Sequence, residues 1–578
     1  MTIQTSQTSF RAGALACLFL LTASVGACGD NDAGASGNFS DNDTTGGDSF
    51  SDTSVWNSAT GATDTSTSTS VPHDTTGETS DADTTLPPPP PETEVDFDLR
   101  TPEAGSSFLY IPSAGLDALV VVDASTLQVH LVEVGVEPTL VRALPDDLGA
   151  IVLNEGSDDI SLVRPRPVGE TPAGEVPFEV TTLDIVPDHN RLELSPDGAW
   201  AFVWFDHRLG ATGGFGSLQD VSAIRLASGE EGVFNLVVGD RPEDLEFSAA
   251  GRLALFFCRE GISGIALTEI SRDTFLPPVP LHPDPFHNPV DREIAVTPDG
   301  TLAVVRDLSQ QALTLVDLQT RQRWVLPLVD YPSDLELTPD GSTVVIPMKN
   351  TQQVAVISVD EAFTWVAPEP DPNDPDAVVV ENPHVTMVFT GFRFGSAVLT
   401  EDGLRALLYT TEPGTQAIGM LDITAGTAVF QRLIKEVESL LVSPDGRMAA
   451  LLYRKASGEA AVASMNAYSL LDLNSGFAKQ LFVDNRVDRV IFTGDSSELF
   501  VLMPDPGGND HLIHRVSTLS FNVLPYLTND APVFVGAMPS INKVAIALDN
   551  PTGWITFIDT DSGAVDQVNS FELNSFIR

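Results

Sequence analysis

From about Thr101 onward, apolar and polar positions alternate in short runs separated by turn-forming clusters, and no stretch sustains a 3.6-residue period. One pattern is written several times. Arg191-Leu-Glu-Leu-Ser-Pro-Asp-Gly-Ala-Trp-Ala-Phe-Val-Trp204 recurs as Ile294-Ala-Val-Thr-Pro-Asp-Gly-Thr-Leu-Ala-Val-Val305, as Leu335-Glu-Leu-Thr-Pro-Asp-Gly-Ser-Thr-Val-Val-Ile346 and as Leu440-Leu-Val-Ser-Pro-Asp-Gly-Arg-Met-Ala-Ala-Leu451. Each copy predicts a β-hairpin. Pro presets φ at the first turn position, Asp accepts local backbone N–H groups, and Gly supplies a positive φ. Degenerate copies end at Gly251 and Gly403, and weaker ones lie at 143–147, 491–495 and 537–542.

A second marker follows in step, an aliphatic-Asp pair leading into another turn. It stands at Val122-Asp123, Val316-Asp317, Leu421-Asp422, Leu471-Asp472 and Ile558-Asp559. Each unit therefore reads strand, hairpin, strand, loop, strand, turn, strand. Four short strands in each repeat of roughly 40–50 residues are the mark of a β-propeller blade. The fold class is all-β. With the opening half-unit Phe108–Ile111 and Ala118–Val122, the chain holds about 8–10 units. One large ring is the preferred arrangement, and two smaller rings are the alternative.

The N-terminus has a different pattern. Arg11 precedes the apolar stretch Ala12–Val25, which is shorter than the ~20 residues of a membrane span and reads as the core of an export signal over 1–27. Val25-Gly-Ala-Cys28 follows and resembles the lipobox of bacterial lipoproteins. That resemblance implies cleavage before Cys28 and lipidation of its sulfur; an ordinary signal peptide is the alternative. Gly29, rather than Asp, follows the cysteine, which in that family leans toward the outer membrane. Residues 28–95 are Asp, Ser, Thr and Gly-rich without a Lys or Arg, and end in Pro87–Pro91. Such a segment buries too little apolar surface to offset its ordering entropy and is expected to be a disordered tether. As a flexible coil it would span roughly 45 Å, and charge repulsion would extend it. The head is then 96–578.

The head repeats resemble the YVTN and TolB-like propeller repeats of bacterial envelope proteins. The Ser-Pro-Asp-Gly hairpins, the aliphatic-Asp turns and the links Gly239-Asp-Arg-Pro-Glu-Asp-Leu245 and Asp330-Tyr-Pro-Ser-Asp-Leu335 carry the likeness. It implies a lipid-anchored, non-catalytic binding or scaffold module with a protein or glycan partner in the envelope. The alternative is a hydrolase like the propeller lactonases, which assemble a site from separate blades.

Charge narrows the partners. The 578 residues carry 30 Lys+Arg against 81 Asp+Glu, a formal charge of −51, which argues against nucleic acid and against electrostatic attachment to anionic lipid. Of three cysteines, Cys17 lies in the signal and Cys28 at the lipobox, so Cys258 alone remains in the head and no internal disulfide is expected. Cys258 ends the apolar run Leu253–Cys258 and reads as a core residue.

Candidate chemistry is sparse. Leu281-His-Pro-Asp-Pro-Phe-His287 puts His282, Asp284 and His287 in one loop, and His511 and His514 form a second pair. Neither has a complete set of metal ligands in its local sequence, and on an alternating strand His511 and His514 point to opposite faces. Neither Asp30–Asp32 nor Asp41–Asp43 sits in a full calcium-loop pattern, and the proline-rich acidic run 367–376 lacks the glycine pivot of one. No nucleophile elbow, zinc-helix motif or phosphate-cradling loop is present, and no catalytic, cofactor or metal residue is assigned. Cys28, as the lipidation site, is the one assigned position.

Overall fold

A computed structural model describes residues 102–569, apart from 168, 172–175, 210–216, 285–286, 368–380, 459, 509 and 551–552. The export signal, Cys28, the tether and most of the acidic run at 367–376 lie outside these residues.

The described residues form ten sheets in sequence order, each built on four antiparallel strands. Blades 1 to 10 span 103–133, 138–184, 191–237, 242–280, 292–327, 336–389, 396–432, 437–483, 489–528 and 532–569. Four strands of each blade run in chain order across the sheet. First strands of neighbouring blades touch and so surround the axis. Second strands such as Trp200–Trp204 and Met448–Tyr453 are buried throughout, while fourth strands such as Thr427–Arg432 are largely exposed. The protein is a ten-bladed β-propeller in one ring.

Apolar side chains of each sheet face the two adjacent blades, so the core is divided. Ten hydrophobic clusters among the described residues each fill one blade-to-blade interface. The aromatic-rich one lies between blades 3 and 4, where Trp200, Phe202 and Trp204 meet Phe256 and Cys258. Blade 3 also gains a fifth strand, since Thr274–Phe275 from the blade 4 excursion pairs in parallel with its outer edge.

No blade borrows a strand from the other end of the chain among the described residues. The ring closes by packing Leu109 and Val122 of blade 1 against Phe534, Met538 and Phe557 of blade 10. Gly536 makes this approach possible, because a Cβ there would stand 2.7 Å from the Ala104 Cβ.

The recurring Pro-Asp-Gly turn has two structural tasks. Within a blade, the Asp closes a local network: Thr338 Oγ1 donates to Asp340 at 2.6 Å, and the Ser342 N–H donates to Asp340 at 3.0 Å. The same arrangement holds at Asp197, Asp299, Asp402, Asp445 and Asp495. Between blades, the glycine fits against the preceding turn. Gly341 has φ +74°, and a Cβ there would lie 2.5 Å from Pro298 Cδ; Gly403 meets Pro339 in the same way at 2.7 Å. The motif repeats because each turn is both a hairpin and a spacer for its neighbour.

Candidate functional site

In an antiparallel blade the first-to-second and third-to-fourth connections share one face. The Pro-Asp-Gly turns and the Asp-capped turns at Asp123, Asp317 and Asp472 lie there and are short and uniform, beside the longer third-to-fourth connections of blades 2 and 6. The other face carries the second-to-third hairpins and the blade-to-blade links. Its hairpins range from Arg259-Glu260 in blade 4 to 205–219 in blade 3 and 454–465 in blade 8. Variable loops on a rigid frame are where recognition is built.

The short blade 4 hairpin leaves a cleft of about 250 Å³ beside blade 5, just below the usual size of ligand sites. Its walls come from Arg259 and Glu260, from Leu281, His282, Asp284, His287 and Pro289 of the following link, and from the blade 5 hairpin that follows Asp307. The sequence-nominated histidines meet here. His282 and His287 stack with ring centroids 3.8 Å apart and planes at 23°. His287 Nε2 lies 2.6 Å from Asp307 Oδ2, a partner supplied by the neighbouring blade. His282 accepts the Asp284 N–H at Nδ1, at 3.0 Å, and its Nε2 lies 3.2 Å from the Gln310 amide.

Asp307 is held firmly. Its other oxygen accepts the Ser309 N–H and hydroxyl at 2.9 and 2.6 Å and the Val290 N–H at 3.2 Å. Although burial works against its charge, these donors and His287 hold its carboxyl below the ordinary range. Arg292 crosses under the cleft and donates to the Arg259 carbonyl at 2.7 Å and the Cys258 carbonyl at 2.9 Å. Pro278, Pro280, Leu281 and Val305 supply apolar walls. Among the described residues, no group of three or more His, Cys, Asp or Glu side chains is arranged to hold a metal ion.

The other nominated residues separate. His511 accepts the Asp505 N–H at 2.8 Å, whereas His514 pairs with the Tyr468 hydroxyl at 2.8 Å, so the two serve different neighbours as strand alternation predicts. Cys258 is fully buried at the end of its strand, and burial pushes its thiol up to about 12, which suits a core residue and not a nucleophile.

A second polar feature surrounds the axis. Strand registers make Glu103, Arg142, Glu193, Glu246, Ala295 and Glu336 equivalent positions of blades 1 to 6. The same position in blades 7 to 10 is Val398, Leu441, Ile491 and Gly536. At this position blades 1 to 6 carry charge except for Ala295 in blade 5, and blades 7 to 10 are apolar. Arg142 and Glu193 pair at 3.1 Å. Burial raises Glu103 and Asp244 to about 7 and Glu246 to about 8, the last with the Asp244 charge adding to the effect. Sequence reading passed over this ring because carboxylates are common in so acidic a chain. Aligning the residue two before the Ser or Thr of each turn would have displayed much of it.

No protein-family model and no curated protein matches the chain. Solved structures do. A eukaryotic initiation factor is similar over 73% of this chain and 94% of its own, at 13% identity and a TM-score of 0.43. The dihydro-heme d1 dehydrogenase NirN, solved in complex with DHE, is similar over 72% of this chain and 78% of its own, at 13% identity and a TM-score of 0.38. The Myceliophteria thermophila Cps50 (Swd1) β-propeller domain covers 56% of this chain and 97% of its own, at 12% identity and a TM-score of 0.29.

Proposed function

We propose that this chain is an exported protein anchored to the bacterial envelope, at the outer membrane, through lipidated Cys28, and that its propeller is a non-catalytic binding module. The observation that carries the binding reading is the cleft between blades 4 and 5. There Arg292 and His287 are fixed by other protein groups before any ligand arrives, so little ordering entropy is lost on binding. The lipobox Val25–Cys28 and the turn pattern shared with YVTN and TolB-like propellers support the envelope address. Two or more acyl chains suffice for stable anchoring, and the tether 28–95 would hold the head away from the membrane, within reach of a protein or glycan partner.

Protease accessibility tests the address. Degradation of the head on intact cells would place it at the surface, and protection until permeabilisation would place it on the periplasmic face. Cys28→Ser should abolish lipid labelling and membrane retention. If that variant is retained and processed like the wild type, the anchor reading is wrong.

The hydrolase reading is favoured by one observation, that the His287–Asp307 pair joins the link after blade 4 to a strand of blade 5. A carboxylate that orients an imidazole is a general-base arrangement. Turnover of simple lactones by the purified chain, lost in Asp307→Asn, would establish it. Absence of saturable turnover would leave the binding module.

A further inference from the structure

The basic groups of this chain are scarce, and several guanidinium groups are taken up by carboxylates: Arg142 by Glu193, Arg208 by Asp206, Arg306 by Asp291 and Glu293, and Arg515 by Glu498. The cleft between blades 4 and 5 departs from this pattern. Among the described residues, neither Arg292 nor Arg259 has a carboxylate within ion-pair distance. Arg292 spends two donors on the carbonyls of Cys258 and Arg259, which fixes its plane and leaves about three of its N–H groups uncommitted. Arg259 stands exposed on the two-residue hairpin at the cleft mouth.

Glu243 and Asp307 favour the Arg292 charge, but neither lies within ion-pair distance of it. Both oxygens of Asp307 are occupied by Val290, Ser309 and His287. Glu260 accepts the Asp240 N–H at 3.3 Å. Burial lowers the Arg292 pKa, so its charge lacks full compensation within the protein. A bound anion would supply what is missing, and a guanidinium offers carboxylate oxygens a matching fork of donors. Pro278, Pro280 and Val305 and the stacked faces of His282 and His287 give the cleft an apolar or flat side, while Asp284, Gln310 and Thr314 add polar groups to its lining.

We propose that this cleft binds a small organic carboxylate, with its anionic end on Arg292 and Arg259 and its apolar body against Pro278, Pro280 and the histidine stack. This rests on the cleft being the binding site and adds the class of ligand. The long-range repulsion expected from a chain of −51 does not decide the matter, because exposed charges are screened beyond about 8 Å at physiological salt, so the groups in the cleft dominate.

Benzoate is a suitable probe, with benzamide and benzylamine as neutral and cationic counterparts of similar shape. Titration of the full-length protein, followed by calorimetry and ligand-observed NMR, should show saturable benzoate binding that the other two do not displace. Arg292→Met should weaken it at least about tenfold, the loss expected when a charged hydrogen-bond partner is removed. Arg259→Glu alters only the exposed hairpin, so it tests the charge without threatening the fold, and it should weaken benzoate as well. No saturable binding, or benzoate binding unchanged in Arg259→Glu, would overturn the proposal. Saturable benzylamine or benzamide binding that is lost in Arg292→Met would overturn the ligand class while leaving the cleft a binding site.

Discussion

Lys543 donates from Nζ to the carbonyl oxygen of Ala124 at 2.8 Å, across 419 positions of sequence. The bond crosses the interface where the last blade meets the first. Lys543 also pairs with Asp566 at 2.9 Å, and Asp566 is itself 44% exposed. A ring without a shared strand depends on such contacts and on the apolar cluster beneath them. Lys543→Met should therefore cost about 1–2 kcal/mol, with the ion pair discounted for its exposure. Guanidinium unfolding of the full chain would read the loss, and hydrogen exchange should quicken in blades 1 and 10 before blades 4 to 6. Unchanged exchange at those two blades would mean that apolar packing alone closes the ring.

Gly341 is required twice, by its φ of +74° and by the Pro298 ring 2.5 Å from where a Cβ would stand. Gly341→Ala should destabilise the head by about 1–3 kcal/mol, combining left-handed strain with displacement of the neighbouring turn. Gly115 has open space around a Cβ and no positive φ, so Gly115→Ala should stay within about 0.5 kcal/mol. Equal denaturation midpoints for the two variants would show that the turn is not a spacer between blades.

The fold was legible because its repeating parts are local. Ser195, Pro196, Asp197 and Gly198 form their turn from their own side chains and φ preferences, and a reader sees the same letters again at Thr297 and Thr338. Weak copies at Pro145 and Pro539 proved to be true turns of blades 2 and 10, which brings the units to ten in one ring. The cleft was half legible. His282 and His287 share a short loop and drew notice together, but Asp307 and Arg292 are ordinary strand residues of the next blade. Their partnership is set by how two blades pack, and no spacing in the chain records that. The sidedness of the inner ring was hidden for the same reason, since Glu103 and Gly536 become equivalent only through strand register.

Lys435 is fully buried and its ammonium points into a loop of blade 8, donating to the carbonyls of Lys455, Ser457 and Val462 at 2.6, 2.9 and 3.1 Å. The loop wraps around this charge as it would around a bound cation. Lys435→Met keeps much of the stem but orphans those carbonyls, at an expected cost of about 2–3 kcal/mol. The loop should open first, exposing Arg454 and Lys455 to trypsin. Cleavage at wild-type rate with unchanged stability would show that water replaces the ammonium without loss.

The inner ring gives stability a definite pH slope. Glu103 and Asp244 titrate at about 7 and Glu246 at about 8 in the folded head, against ordinary values of 4.5 for Glu and 3.8 for Asp. Between roughly pH 4.5 and pH 8 the folded chain therefore holds protons on these three groups that the unfolded chain has released, and their contribution falls as pH rises through that window, opposed up to about pH 6.5 by buried His189, whose pKa burial lowers to about 4. The lowered carboxylates, Asp206, Asp307 and Asp340, act in the opposite sense, and their contribution is lost only as pH drops below the ordinary aspartate range. The maximum should then lie near pH 5, with the urea midpoint declining at pH 6.5 and again at pH 8. General repulsion in a chain of −51 would also weaken the head at high pH, so a local control is needed. Glu246→Gln cannot ionise; it should be more stable than wild type at pH 8, close to it at pH 5, and show a shallower decline between. A variant whose slope matches the wild type would place the pH dependence in the overall charge and not in the ring of carboxylates around the axis.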